Sequence, residues 1–596
     1  MICLMRKLYG FSLSFSSVAG ELVYKVDHDD FSVRVYENED VHVVAQTSWK
    51  ASDSAFDIAN DYQHNKDKWI PSRYTNGSFA LIDKKTGDVF IGRDRTYASH
   101  LYYYFDGREH HYTTDNVHLL NYCDVLDAEA LDMMLMNNIK VMAALPLFKG
   151  SKAILPGHYL HHVPPCLEGQ EGVFWKIESC EVPSNYDKAV ERYGDLLVDS
   201  IKNNIANDEA AVWLSGGSDS AAIMGALHKL NVNNVQAAHM YYKGNFDFEH
   251  NDVDKLQDVY GFNLKNVTPD VQSDEWRKYV DQSLLNVTMN SFGISIPSHV
   301  LSGAYLGAVV NRGATAMIGE FCLLDSGFTE QNDKTRHFRR WLYRGSGRHI
   351  AKGLKVLPEC FFVDWENKQS NGRTKNHILK ILQSVLFSIG RPGLWYSGMK
   401  IGKLGGVFPI PNFERTLLSE DYRTHKWTRL YEGLFKNFES MLHQTNWKAA
   451  IDSMLSNWYC EFSNTSMAND CCALSGMQYC LPFSSVDFLD YQSSLPEKWK
   501  IDKKIQKDMC YKYLNMPKDV AFRNKNHART VPYDVLVYPF MQTPEFNKQF
   551  KEEIMNTDFG PLNKGIRSDL DNMWANRKFA LHGLVLWINK YNLKIE

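Results

Sequence analysis

The hydrophobic pattern changes along the chain and divides it into two parts. In roughly the first 180 residues, short aromatic runs alternate with polar positions, which is typical of half-buried β-strands. The alternating stretch within residues 1–20 predicts a first strand rather than a signal peptide. Phe79–Asp83 and Asp88–Gly92 flank a Lys-Lys-Thr-Gly turn and predict a β-hairpin, and residues 127–138 predict a helix.

A linker, residues 180–185, separates this part from a helical segment. Ser184 is placed to cap the helix that follows, with Asp187 three residues further on. Apolar residues then recur at helical spacing and predict one buried face, formed by Val190, Tyr193, Leu197, Ile201 and Ile205.

The next segments alternate between strand and helix. Apolar runs at 210–214, 235–241 and 314–319 predict strands, and the stretches 221–230, 252–260 and 298–311 predict helices, with Gly313 as a helix stop. This alternation predicts a parallel sheet with helices on both faces, in which ligands bind at the carboxyl ends of the strands. Beyond residue 330 the chain is predicted to be mostly helical. We therefore expect a mixed protein, α/β together with α+β.

Composition narrows the class of protein. A chain of 596 residues predicts two or three domains, and its net charge of −4 does not favour nucleic acid as a partner. The 11 cysteines include no Cys-x-x-Cys pair, which favours a reducing cytoplasm, and Cys471 and Cys472 are expected to be core thiols. No stretch has the length and apolarity of a membrane helix.

The clearest chemical motif follows the predicted strand 210–214. There the sequence reads Ser-Gly-Gly-Ser-Asp-Ser and runs into a helix, the order that an anion-binding turn needs. Asp219 carries an oxygen ligand suited to Mg²⁺. A γ-phosphate loop of the Gly-x-x-x-x-Gly-Lys-Ser/Thr type and a dinucleotide fingerprint are both missing from the sequence. The motif therefore predicts a nucleotide site, and it resembles the pyrophosphate loop of enzymes that split ATP between the α- and β-phosphates. The residues of this predicted ATP and pyrophosphate site are Leu214, Ser215, Gly216, Gly217, Asp219 and Ser220.

With these residues the chain resembles the asparagine-synthetase family. In the first part the resemblance rests on Asn76–Phe79, Asp83–Gly87, Arg93–Arg95, Leu101–Tyr103, Leu147–Gly150, Leu155–Tyr159 and Phe174-Trp175. In the second part it rests on Ser215–Ser220, Gly319-Glu320, Phe488–Asp490, Leu495-Pro496 and Arg523-x-Lys525. The resemblance implies a four-layer αββα amidotransferase-like domain at 1–180. It implies a parallel-sheet ATP pyrophosphatase domain with a helical C-terminal part at 185–596.

Two departures from the family pattern change what the resemblance implies. The family's glutaminase uses an N-terminal Cys, whereas here Ile2 follows Met1, the nearest thiol is Cys3, and Leu4 stands where the family has Gly. An Asn-Gly-Glu segment is also missing, so we expect an inactive glutaminase that keeps its fold. In the second nucleotide motif, Leu323 and Leu324 replace an Asp-Glu pair, which leaves Asp325 as the second candidate ligand for Mg²⁺.

The resemblance implies that a substrate carboxylate attacks the α-phosphate of ATP, and that an amine then attacks the acyl-adenylate. Lys525 and Arg523 would neutralise the developing charge, Glu320 would orient or deprotonate the amine, and Gly319 would line the nucleotide. The expected function is an AMP-forming amide ligase acting on a small-molecule or peptide carboxylate and amine, as in β-lactam synthetases and lasso-peptide cyclases.

Other interpretations stay open. The chain could be an asparagine synthetase using ammonia or glutamine, or a nucleotide-binding scaffold without turnover; RNA modification is disfavoured by the acidic pI. A homodimer is also left open. A basic run at 334–355 indicates either a solvated helix face or a surface for an acidic partner, and the first is preferred. The C-terminal run Ala580, Leu584, Trp587 and Ile588 is expected to pack on the synthetase core.

Overall fold

The computed structural model describes most of the chain, with gaps. The described residues are 8–18, 20–47, 54–72, 75, 77–93, 100–137, 147–164, 168–175, 177–205, 209–241, 247–291, 303, 305–310, 314–319, 416–423, 465–500, 503–523, 537–570, 573 and 575–596.

The first part of the chain folds as two antiparallel sheets that face each other. Sheet A has the order β10-β7-β8-β1-β2 and sheet B the order β12-β11-β6-β5-β4-β3. Apolar side chains from both sheets form one core between them, among them Phe11, Leu13, Phe15, Ile82, Val89 and Ile91. The strands are β1 Phe11–Val18, β2 Glu21–His28, β3 Val33–Glu37, β4 Val41–Gln46, β5 Ser78–Asp83, β6 Val89–Gly92, β7 Tyr102–Phe105, β8 His110–Thr113, β9 Val125–Leu126, β10 Lys152–Ala153, β11 His158–His162 and β12 Gln170–Val173.

Local chemistry fixes the predicted hairpin. β5 and β6 pair antiparallel, with Phe79 opposite Gly92 and Ile82 opposite Val89. At the turn, the Asp83 carboxylate accepts hydrogen bonds from the backbone N–H groups of Lys85 at 2.8 Å and Thr86 at 2.9 Å. Aspartate commonly shapes turns in this way. The hairpin prediction is confirmed.

Helical segments cover the outer faces of this sandwich. Helix α1, Ser54–Asn65, packs on the outer face of sheet B through Ala55, Ile58, Ala59 and Tyr62, which recur at helical spacing. Within the described residues, the 3₁₀ segment Asn116–Asn121 and Tyr122 lie against sheet A, where the Tyr122 ring stacks on His111 at 3.9 Å. Helix α2, Ala128–Asn137, lies within the predicted 127–138.

A parallel sheet, sheet C, follows in the second part. Its order is β15-β14-β13-β16-β17, built from β13 Glu209–Trp213, β14 Asn234–Met240, β15 Asn263–Val267, β16 Thr315–Met317 and β17 Tyr479–Cys480. The chain runs outward from β13 through β14 to β15 and then returns to the other side of β13 as β16. The strand order therefore reverses between β13 and β16, and ligands of open α/β sheets bind at such a switch point.

Helices lie on both faces of sheet C, as predicted. One face carries α3 and α4 together with later helices, and the other packs against residues that include Leu306, Cys472 and Met477. The helices are α3 Tyr186–Lys202, α4 Ser218–Lys229, α5 Asp247–Tyr260, α6 Asp274–Ser291, α7 Thr465–Ser475, α8 Val486–Ser494, α9 Glu497–Lys500, α10 Lys504–Lys512, α11 Lys518–Ala521, α12 Pro544–Asn556, α13 Asn563–Ser568 and α14 Ala575–Tyr591. Further 3₁₀ segments lie at Lys66–Lys68, Glu420–Tyr422, Pro482–Ser484, Pro539–Gln542 and Gly560–Leu562.

A third core joins the two parts of the chain. The C-terminal run packs there, but its neighbours are α6 and residues such as Leu119, Leu126 and Leu131 of the first part, not the core under sheet C. The last strand, β18 Lys594–Ile595, pairs parallel with β9. The run therefore packs against residues of the second part, as expected, but it also packs against the first part, because periodicity shows which face is apolar but not everything that covers it.

Other expectations differ in detail. The cap of α3 is Asn185, not Ser184, since the Asn185 side chain accepts a hydrogen bond from the backbone N–H of Lys188 at 3.1 Å. Phe174 and Trp175 directly follow β12, and both are buried in the core under sheet C. The thiols of Cys471 and Cys472 are fully buried, as expected.

Candidate functional site

The glycine turn lies at the carboxyl end of β13, at the switch point of sheet C. Gly216 has a φ of +66°, and a Cβ there would lie 2.7 Å from the backbone oxygen of Glu249 in α5. A side chain is therefore excluded both by backbone conformation and by space. Gly217 is the N-cap residue of α4, and it has no side chain that could accept a hydrogen bond from the first turn of the helix.

Two serine hydroxyls close the turn on itself. The Ser220 hydroxyl oxygen accepts from the backbone N–H of Ser215 at 3.2 Å and lies 3.3 Å from the Ser215 hydroxyl. The Ser220 hydroxyl also donates to the Gly217 carbonyl at 3.2 Å. The first N–H groups of α4 have no acceptor within the helix and carry its positive dipole end, so the turn is suited to bind an anion.

Gly319 lies directly against this turn. A Cβ at Gly319 would lie 2.8 Å from the backbone nitrogen of Ser220 and 3.1 Å from the Asp219 Cβ. The segment that follows β16 therefore touches the first turn of α4. The structure brings Leu214, Ser215, Gly216, Gly217, Asp219, Ser220 and Gly319 together, and their binding of ATP stays a prediction.

The Asp219 carboxylate is held by two side chains that sequence reasoning missed. The Lys503 ammonium donates to its Oδ1 at 2.6 Å and to its Oδ2 at 2.7 Å, and the Gln506 amide donates to Oδ1 at 2.6 Å. The Lys503 side chain is 8% exposed and that of Asp219 is 24% exposed. An ammonium that bridges both oxygens stands where a cation would bind, so the carboxylate fits the implied Mg²⁺ in position and chemistry. Mg²⁺ binding by Asp219 remains a prediction.

Arg523 also contacts the turn. Its guanidinium donates to the Gly216 carbonyl at 3.1 Å and forms an ion pair with Asp252 of α5. Burial raises the pKa of Asp252, and the charge of Arg523 opposes that shift. Arg523 therefore ties α5 to the outside of the turn, and its contact with a substrate stays a prediction.

His239 braces the strand end from the neighbouring strand. Its Nδ1–H donates to the Leu214 carbonyl at 2.8 Å, which fixes the proton on that nitrogen. The ring stacks on His250 with 5.6 Å between the ring centres. Burial lowers the pKa of His239, and the bond to Leu214 opposes this only in part. A neutral imidazole thus holds the residue that enters the turn.

Several predicted residues lie outside the described part of the chain. They are the catalytic candidates Glu320 and Lys525, the second metal candidate Asp325, the thiol Cys3 and the basic run 334–355. In contrast, Lys503 and Gln506 were missed because Lys503 stands 284 residues after Asp219, inside a lysine-rich segment without a motif of its own. Within the described ranges, we find neither a group of three or more metal-ligating side chains nor a helix long and apolar enough to cross a membrane.

Comparison with known proteins gives a distant relative. No protein-family model matches the chain. The Methanocaldococcus jannaschii protein named "putative asparagine synthetase (glutamine-hydrolyzing) 2" is 22% identical over 176 residues. The match covers 28% of this chain and 34% of the relative, so the chain spans about a third of that protein's length.

Two solved structures were also found, each 8% identical. They are the allosteric regulatory enzyme of purine biosynthesis, with a TM-score of 0.18, and the glutamine phosphoribosylpyrophosphate amidotransferase of B. subtilis in complex with ADP and GMP, with a TM-score of 0.16. They cover 45% and 54% of this chain, and 77% and 78% of their own chains. At these TM-scores, the likeness carries no conclusion. The chain therefore shows weak, distant similarity to a protein named as a putative asparagine synthetase, over part of its length.

Proposed function

We propose that this protein is an ATP-dependent amide ligase that releases AMP and pyrophosphate. In the first step, an oxygen of a substrate carboxylate attacks the α-phosphorus of ATP, forming an acyl-adenylate and expelling pyrophosphate. In the second, an amine attacks the acyl carbon, AMP leaves, and the amine nitrogen loses a proton. The products are an amide, AMP and pyrophosphate.

The observation that carries this proposal is the glycine turn at the switch point. Its φ of +66° at Gly216 and its contact with Gly319 leave main-chain N–H groups and two hydroxyls at the carboxyl edge of sheet C. Such an arrangement supports binding of the β- and γ-phosphates, which leave as pyrophosphate. Bound Mg²⁺ would neutralise phosphate charge, and Asp219 would hold it, with Asp325 proposed as a second ligand. Lys525 and Glu320 are proposed for the acyl-transfer step.

A second candidate is asparagine synthesis, in which aspartate is the carboxylate and ammonia or glutamine supplies the nitrogen. The similarity to the Methanocaldococcus jannaschii protein favours it. We prefer an amine-bearing substrate, because the sequence has no Asn-Gly-Glu segment of the kind with which the family holds glutamine. An inactive glutaminase and a cytoplasmic location belong to the same proposal. The remaining alternative is a nucleotide-binding scaffold without turnover. The following experiment tests this alternative by looking for nucleotide products.

Product analysis tests this proposal. The full chain is incubated with Mg-ATP and a panel of carboxylates that includes aspartate, with and without added amines, ammonia or glutamine. Nucleotides are separated by chromatography. We expect AMP and pyrophosphate that depend on one class of carboxylate; ADP, or no nucleotide turnover with any carboxylate, would contradict the proposal.

A pair of serine variants links the products to the turn. Ser220→Ala removes the hydroxyl that closes the turn and should lower the rate by about 10²-fold. Ser568→Ala, on an exposed hydroxyl outside sheet C, is the matched control and should leave the rate unchanged. Equal rates for both variants would place nucleotide chemistry away from this turn.

A further inference from the structure

The Asp219 carboxylate already has a cation bound to it. Lys503 reaches both carboxylate oxygens, at 2.6 and 2.7 Å, and Gln506, which is fully buried, fixes Oδ1 from a second direction. Each carboxylate oxygen has about two acceptor positions. These contacts occupy at least three of the four, and the bidentate position between the oxygens belongs to the ammonium.

The backbone holds Lys503 in this place at a cost. Lys503 has a φ of +52° at the start of α10, in the left-handed region that non-glycine residues rarely adopt. Its side chain is almost fully buried, and a buried ammonium is stable only beside a counter-charge. Such strain persists only where the surroundings fix the conformation, and it is frequent at binding sites.

A divalent cation cannot share this carboxylate with the ammonium without repulsion. Two like-signed centres on neighbouring oxygens repel strongly in a partly buried site, where water screens them poorly. Metal binding to Asp219 must therefore displace Lys503 from at least one oxygen.

We propose that the Lys503 ammonium and a divalent cation compete for the Asp219 carboxylate, so that Lys503 sets the metal concentration at which Asp219 binds metal. Lys503 is thus a positioning residue that keeps the carboxylate neutralised and oriented until metal arrives. The inference rests on the proposed function for its metal requirement, but it makes a separate statement about Asp219.

The test uses Mn²⁺ alone, without nucleotide, on the full chain. Free Mn²⁺ is measured by electron paramagnetic resonance for the wild type, Lys503→Met, the double variant Lys503→Met/Asp219→Asn, and the control Lys504→Met. Lys504 is the neighbouring lysine, pairs with Asp508 rather than Asp219, and is 43% exposed. We expect Lys503→Met to bind one Mn²⁺ at a concentration at least about tenfold lower than the wild type, and Lys504→Met to match the wild type.

The double variant should lose that tighter site. The proposal is overturned if Lys503→Met titrates within twofold of the wild type, or if the double variant keeps the tighter site. Should Lys503→Met not fold, Lys503→Gly removes the ammonium and also relieves the left-handed backbone, and the same outcomes apply to it. Because the Mn²⁺ titration contains no ATP, its result is independent of the product analysis. If the wild type forms AMP but Lys503→Met binds Mn²⁺ no more tightly than the wild type, only the proposed competition is refuted.

Discussion

Single residues decide the shape of the anion-binding turn. Gly216→Ala should strongly weaken ATP binding and lower the free energy of unfolding by about 2 kcal/mol, because a Cβ would meet the Glu249 backbone and φ is positive. Gly261→Ala is the matched control, with a φ of +67° and nothing within 4 Å of the added Cβ. Urea unfolding and equilibrium ATP binding measure both variants.

The control separates strain from contact. Gly261→Ala carries only the backbone strain, so it should cost about 1 kcal/mol and leave ATP affinity unchanged. Equal ATP affinity in Gly216→Ala and Gly261→Ala would show that the turn does not contact the nucleotide.

His239 gives the site a pH dependence. Its pKa is lowered in the folded protein by burial, whereas an unfolded histidine titrates near about 6.5. Below that pH, His239 binds a proton more readily in the unfolded chain than in the folded protein. The contribution of His239 to the free energy of unfolding, present at pH 7, is therefore lost as the pH falls toward the folded pKa. For one group the slope is at most about 1.4 kcal/mol per pH unit.

His239→Asn keeps a donor for the Leu214 carbonyl but does not titrate. We expect its free energy of unfolding to fall less than that of the wild type between pH 7.5 and pH 5.5 in urea melts. His64→Asn, on an exposed helix position, is the comparison and should follow the wild type. A His239→Asn curve parallel to the wild type would refute this account of His239.

At this scale the sequence predicts what is local. Gly216, Gly217 and Ser220 were found because a turn's conformational needs appear in a few adjacent residues, whereas Gly319, far along the chain, was found only through the family resemblance. Lys503 and Gln506 were not, because their role exists only once α10 packs beside α4. Arg523 was found by motif, yet its observed partners, Asp252 and the Gly216 carbonyl, are tertiary contacts that the motif does not contain.

At the scale of elements, the cap of α3 makes a direct test. Asn185→Ala should lower the free energy of unfolding by about 1 kcal/mol, because its side chain accepts from the Lys188 N–H. Ser184→Ala should change it by less than about 0.5 kcal/mol. Chemical denaturation of both variants decides between them, and a larger loss at Ser184 would restore the cap predicted from sequence.

Periodicity located most elements and left their ends uncertain. The buried stripe Val190, Tyr193, Leu197 and Ile201 lies as predicted, and Ile205 is buried just beyond the helix end. Ser184 and Asn185 are both good caps, so only the packing of α3 chooses between them. Helix α5 begins at Asp247, earlier than the predicted 252, and Glu249 in its first turn lies against Gly216.

At the scale of the whole molecule, the C-terminal helix links both parts of the chain. Trp587 is fully buried, and its indole N–H donates to the Leu284 carbonyl at 2.9 Å. Trp587→Ala should cost about 3–5 kcal/mol. Hydrogen exchange should show lost protection both in α6 and around Leu126, because both belong to the same core.

Val23→Ala, at a side chain that is 54% exposed, is the control and should change stability by less than about 0.5 kcal/mol. Protection lost in α14 alone would show that the two parts are not coupled.

The sequence could not predict this coupling: an apolar run at 580–588 requires a partner, but many surfaces of the molecule could supply one. The pairing of β18 with β9 could not be predicted either, because it joins two short segments at distant points of the chain.

The most direct test of the central claim is a crystal structure of the full chain with a non-hydrolysable ATP analogue and Mg²⁺. We predict the β- and γ-phosphates within hydrogen-bonding distance of the main-chain N–H groups of Gly217 to Ser220. A nucleotide bound elsewhere, or none at a concentration that saturates binding in solution, would contradict the proposal that this turn is the ATP site.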